Sequence, residues 1–213
     1  PDEIEEVLAW AESRELHVVV DEIYALSVFG DREFTSCAAL RPTLGERVHI
    51  VWAFSKDFGA SGLRCGVLVS ENEVVNTAVD ALAYWACCSG HTQYLLGEVV
   101  SDEAWVDGYV RTMRDLLRKT HGRLAGLLDA AGIRHVPAEA GVFALLDLRP
   151  YLTEPTWEAE RALWHRILDE AGVNLTPGAA CHVKEPGFMR LCYACLPTES
   201  VEVGVRRLAK MLG

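Results

Sequence analysis

Basic charge is scarce in this sequence: 20 Lys and Arg stand against 31 Asp and Glu, giving a net charge of -11 and a pI near 5.1. That balance argues against nucleic-acid or anionic-membrane partners, which need a basic surface. Long apolar runs are missing too, and none approaches the roughly 18 residues of a membrane span. There is no disulfide framework either. The seven cysteines are an odd number, scattered through apolar segments, so reduced core thiols are expected. Cys192 and Cys195 spell C-x-x-C, but no second ligand pair stands at a zinc-site spacing, and no metal is expected. The opening "PDEIEEVLAW" reads as an amphipathic helix and not as a leader, which with the thiols suggests a cytoplasmic location. The initiator Met is absent, so the expectation is a fragment, a processed product or an excised domain.

What is present is a chain of 213 residues, half of them hydrophobic, enough for one large domain or two small ones. Ile4, Val7, Leu8 and Ala11 share one face of a helix over Asp2 to Glu15. Three short apolar runs follow, "LHVVV", "VHIVWAF" and "CGVLVS", each read as a buried strand. Their closeness predicts a mostly parallel sheet with helices on both faces, in which ligands sit at the carboxyl ends of the strands. Residues 71–132 are helical in pattern, with a break at "CCSGHT" and a C-cap at Gly132. The remainder alternates short strands with helices, and the last helix opens on a Thr198/Glu199 capping pattern. The expected division is a partial large α/β domain over 1–114 and a small α+β domain over 115–213.

The stretch "FSKDFGASGLRCG" places a lysine and an arginine in a glycine-rich turn after an apolar run. Desolvation at a buried strand end would lower the Lys56 pKa and free a nucleophilic amine. The bland reading is a lysine snorkelling at a strand end. Ser55 offers a hydroxyl, Gly59, Gly62 and Gly66 allow positive φ, and Arg64 offers a planar fork for a dianionic phosphate. Asp21 follows three valines in "VVVDEIY", where a buried carboxylate calls for a cationic partner such as a pyridinium nitrogen. Tyr24 stands three residues on. A simple helix cap and turn explains "DEIY" equally well.

Taken together, "VVVDEIYALSVFG" and "VWAFSKDFGASGLRCG" resemble the fold-type-I pyridoxal-phosphate enzymes. Within them the likeness is greatest to class I/II aminotransferases and the 1-aminocyclopropane-1-carboxylate (ACC) synthase group. "NLTPGAACHVKEPGFMRLCYA" extends it to the small-domain segment that carries a substrate-binding arginine. By this resemblance Lys56 would be the internal-aldimine lysine and the base that shuttles the α-proton. Asp21 would pair with the pyridine nitrogen, Tyr24 would hydrogen-bond the 3-oxygen, and Ser55 and Arg64 would bind the phosphate. Arg190 would hold the substrate α-carboxylate, whereas the residues alone read it as a strand-edge charge. The family's phosphate-binding glycine loop, ring-stacking aromatic and second 3-oxygen contact lie ahead of the segment that "PDEIEEV" resembles.

The resemblance implies an amino-acid substrate, a homodimer, and either aminotransfer or γ-elimination and cyclisation of an S-adenosylmethionine-type substrate. A non-catalytic subunit or binding module of the same fold is the alternative. His91 and His182 lie in polar loops without triad context, and adjacent Cys181 and His182 diverge too much for a dyad. The six tryptophans read as packing residues.

Overall fold

The computed structural model describes all 213 residues, Pro1 to Gly213. They form two compact units, residues 1–28 with 32–112 and residues 29–31 with 113–213.

The first unit opens with α1 (Asp2–Glu12), whose Leu8 and Ala11 are buried while Val7 faces solvent. Then come β1 (Val18–Asp21), the one-turn α2 (Cys37–Leu40), β2 (Val48–Ala53) and the one-turn α3 (Phe54–Asp57). A 3-10 turn at Ser61–Leu63 leads into β3 (Gly66–Ser70). Leu8, Cys37, Val48 and Ile50 make the buried cluster under this sheet. Val19, Val67 and Val69 are exposed, so the two outer strands are only half-covered, and not fully buried as their apolar runs suggest.

The strand order is β1-β2-β3. β1 runs parallel to β2, with Asp21 opposite Val51, whereas β3 is antiparallel to β2, with Gly66 opposite Ala53. One pairing of the two is thus antiparallel. The connection, residues 54–65, holds only a one-turn helix and a 3-10 turn, with no crossover helix to carry the chain back along the sheet for a parallel return.

α4 (Glu73–Ala86) and α5 (Gly90–Ser101) follow, each started by a side-chain cap: Asn72 accepts from the Val75 N–H and Ser89 from the Thr92 N–H. The expected break at "CCSGHT" falls between them. The long α6 (Glu103–Ala130) begins in the first unit and continues into the second, ending before Gly132.

The second unit contains β4 (Arg134–His135), β5 (Phe143–Asp147), α7 (Trp157–Arg166), β6 (Thr176–Pro177), β7 (Phe188–Cys192) and α8 (Thr198–Leu212). Its sheet has the order β4-β5-β7-β6, antiparallel throughout. Leu128, Leu146, Ile167, Met189 and Leu208 are completely buried and tie α6, α7 and α8 to it. α7 runs on into a π turn at Ile167–Ala171 that stops at left-handed Gly172. The capping pattern expected at α8 does not form. Pro197 takes the N-cap position and Thr198 the first helical one, so no side chain caps this helix.

Two histidines link this packing to pH. His49 is buried, with Nδ1 2.8 Å from Ser70 Oγ and Nε2 2.9 Å from His17 Nδ1; burial, and then the neighbouring His17, push its pKa down. In the second unit burial and then His135 lower that of His121. Each group takes its proton at a lower pH in the fold than in the unfolded chain, where it does so near about pH 6.5. Their stabilising contribution is therefore complete above that pH and is lost as pH falls through the folded values. The urea midpoint should drop between roughly pH 7 and pH 5, and His49→Asn with His121→Asn should flatten that slope.

Candidate active site

The parallel pairing of β1 and β2 brings their carboxyl ends to one edge of the sheet, and the antiparallel β3 brings its amino end to the same edge. Asp21 is the last residue of β1, Ser55 and Lys56 lie in the turn of α3 just past β2, and Arg64 stands two residues before β3. Tyr24 sits in the turn after β1, where its carbonyl accepts from the Ser27 N–H at 3.0 Å. Five of the six residues singled out in the sequence are thereby gathered at one edge. Had β3 run parallel, Arg64 would have entered at the opposite end.

Their environments differ from expectation. Lys56 lies in a helical turn just past the strand, but it is exposed and not desolvated there, and its amine has neither an ion-pair nor a hydrogen-bond partner. Asp21 is exposed as well. Its Oδ1 accepts from the Ile23 N–H at 3.0 Å, so one oxygen serves the turn while Oδ2 makes no hydrogen bond. The alternation of β1 explains this, because Asp21 falls on the exposed phase and the next residue turns inward. Glu22 is the buried acid of "DEIY", accepting from Ser36 Oγ at 3.1 Å and the Cys37 N–H at 2.9 Å.

Arg64 has φ of +51°, a left-handed conformation that a side chain disfavours. Of the three turn glycines only Gly59, at +59°, has positive φ. Arg64 Nη1 donates to the Ser61 carbonyl at 2.9 Å across its own turn, and the rest of the guanidinium is open to solvent. Non-glycine residues held this way concentrate at ligand sites.

The most constrained side chain near Lys56 is its neighbour, which the sequence reading passed over. Asp57 is 1% exposed, and its carboxylate accepts three hydrogen bonds: from the Leu26 N–H (3.1 Å), Ser27 Oγ (2.5 Å) and Trp52 Nε1 (2.9 Å). Its carbonyl accepts from the Tyr109 hydroxyl at 3.3 Å, and the Tyr109 ring stacks on Phe58. Burial, and then the Asp57 charge, raise the Tyr109 pKa. Only the acid's place beside Lys56 could have drawn notice to it.

In the second unit Arg190 occupies the middle of β7, opposite Leu145 of β5 and Thr176 of β6. Its guanidinium lies 4.3 Å from the centre of the Phe143 ring. Its Nε is buried and has no hydrogen-bond partner, an arrangement that is unfavourable until an acceptor arrives. It borders a cavity of about 350 Å³ with Val136, Phe143, Cys181 and Val183 on its wall. A third buried acid secures the entry to β7. Glu160 on α7 accepts from the Ala179 N–H at 3.0 Å and the Gly187 N–H at 2.6 Å. Gly187 has φ of +100°, and a Cβ there would lie 2.7 Å from Arg149 Cγ, so only glycine fits.

Comparison with known proteins agrees with these features. Residues 1–208 match the family model for aminotransferase class I and II. 1-Aminocyclopropane-1-carboxylate synthase 11 of Arabidopsis thaliana is 36% identical over 211 residues, 97% of this chain and 46% of that protein. A 1-aminocyclopropane-1-carboxylate synthase of Nicotiana tabacum is 34% identical over 217 residues, 100% of this chain and 44% of that protein. Among solved structures, the aspartate aminotransferase from Thermus thermophilus with maleate superposes with a TM-score of 0.85 at 25% identity, covering 100% of this chain and 53% of that one. The chain thus spans about half the length of the curated relatives it matches. It belongs to the class I and II aminotransferase family.

Arg64→Gly should remove the left-handed strain and raise stability by about 1 kcal/mol in urea unfolding. A fall in stability would show that the guanidinium–Ser61 bond outweighs the strain.

Proposed function

We propose that this member of the aminotransferase class I and II family carries the lysine and carboxylate-binding parts of a pyridoxal-phosphate enzyme acting on an amino acid. The observation that carries the reading is the sheet edge itself, where the ends of β1 and β2 and the start of β3 bring an unpaired amine, a half-used carboxylate and an open guanidinium to one edge. The buried, partnerless Nε of Arg190 adds a waiting donor for a substrate carboxylate.

The residues fit the cofactor. Lys56 would bind its carbonyl carbon, Asp21 would place a negative charge at the pyridine nitrogen, and Tyr24 would donate to the 3-oxygen. Ser55 and Arg64 would hold the phosphate. When bound, pyridoxal phosphate supplies an electron sink for the carbanion at the substrate α-carbon. Arg190 would fix the α-carboxylate through its planar fork, a bidentate task that lysine performs poorly. Lys56 Nζ would take the α-proton and return it as general base and acid.

Of the two fates open to that carbon, we favour γ-elimination and cyclisation of an S-adenosylmethionine-type substrate. The support is that the relatives at 36% and 34% identity are ACC synthases. Aminotransfer is the second reading, favoured by the solved aspartate aminotransferase at TM-score 0.85. A homodimer is part of the proposal. So is a cytoplasmic location, for which seven unpaired thiols are the support.

With pyridoxal phosphate and S-adenosylmethionine present, the wild type should yield ACC and Lys56→Ala none. A keto acid in place of ACC would favour aminotransfer, and no product above the Lys56→Ala background would leave a non-catalytic subunit. Arg190→Lys should raise KM by roughly tenfold or more, since a charged hydrogen bond is worth about 1.5–3 kcal/mol.

A further inference from the structure

We infer that Asp57 is a positioning residue: its buried carboxylate fastens the turn that carries Tyr24 to the turn that carries Lys56. The inference deepens the reading above and rests on it for its catalytic meaning, but the fastening itself is a property of the chain alone. Leu26 and Ser27, two of the three groups bound by Asp57, stand two and three residues after Tyr24 and lie 31 and 30 residues from Asp57 in sequence. The third, Trp52, belongs to β2, the strand that leads into the Lys56 turn. One side chain therefore joins the turn after β1, the strand β2 and the turn after β2.

β-ladder hydrogen bonds fix the strands only as far as Asp21 and Ala53. Beyond them the Glu22 N–H still reaches the Val51 carbonyl, at 2.9 Å. Past that point, Asp57 makes three hydrogen bonds that tie the turn after β1 and the strand β2 to the Lys56 turn. Neighbouring residues in a helical turn point about 100° apart, so a buried Asp57 also directs Lys56 outward, as its exposure shows.

The chemistry of the donors gives the test its controls. Asp57→Asn can keep all three bonds: its amide oxygen takes the Leu26 and Trp52 donors, and its NH₂ donates to a Ser27 hydroxyl that has rotated to accept. Ser27→Ala removes one bond with little loss of volume, and Asp57→Ala orphans all three donors. Hydrogen exchange over residues 22–28 should quicken at least tenfold in Ser27→Ala, and more in Asp57→Ala where that variant folds, and should return to the wild-type rate in Asp57→Asn. In parallel, the rate at which pyridoxal phosphate with borohydride labels Lys56 should fall in Ser27→Ala and recover in Asp57→Asn.

Wild-type exchange in Ser27→Ala, or quickened exchange in Asp57→Asn equal to that in Asp57→Ala, would overturn the inference. So would quickened exchange with unaltered Lys56 labelling. If even the wild type takes no label, the cofactor reading fails, and with it the role of Asp57 towards Lys56. The exchange data then report the fastening alone.

Discussion

β2 is the constraint on which the site depends, because it pairs in opposite senses on its two sides. Parallel pairing with β1 sets Asp21 level with Val51, and antiparallel pairing with β3 sets Gly66 level with Ala53. Three chain segments therefore turn at one edge, and each brings a different chemical group. The carboxylate arrives at the end of β1, the amine just past β2 and the guanidinium just before β3. A one-residue slip in either pairing would exchange the faces of a strand and separate these groups.

Buried acids fix this arrangement from within. Glu22 collects the Ser36 hydroxyl and the Cys37 N–H, Asp57 collects three donors, and Glu160 collects the Ala179 and Gly187 N–H groups in the second unit. None of the three has a salt bridge, so neutral donors alone stabilise each. Such donors are directional in a way that a nearby cation is not. They specify where a turn sits, which is what the site requires. The groups offered to a ligand meanwhile are left with free capacity: the exposed Lys56 has no partner, and the half-buried Arg190 keeps a buried, unpaired Nε.

Much of this was legible in the sequence. The apolar runs ending at Asp21 and just before Ser55 locate the strand ends, and the break at "CCSGHT" lies where α4 gives way to α5. What escaped was orientation. Periodicity finds a strand but carries no information on its direction, so the antiparallel β3 was missed although it is what brings Arg64 to the site. Burial was misassigned between adjacent residues for the same reason: "VVVDE" does not say whether Asp21 or Glu22 turns inward, and the pleat chose Glu22. The Thr198 cap failed because Pro197 already fixes the chain for helix entry. Beyond its place beside Lys56, nothing in the sequence marks Asp57, since its three donors come from positions up to 31 residues away.

Titration of the protein with pyridoxal phosphate, followed by borohydride reduction and peptide mapping, tests the central claim most directly. A visible absorbance band that saturates, with the reduced label on Lys56 alone, is the predicted result. Label scattered over Lys119, Lys184 and Lys210 with no saturating band would contradict it.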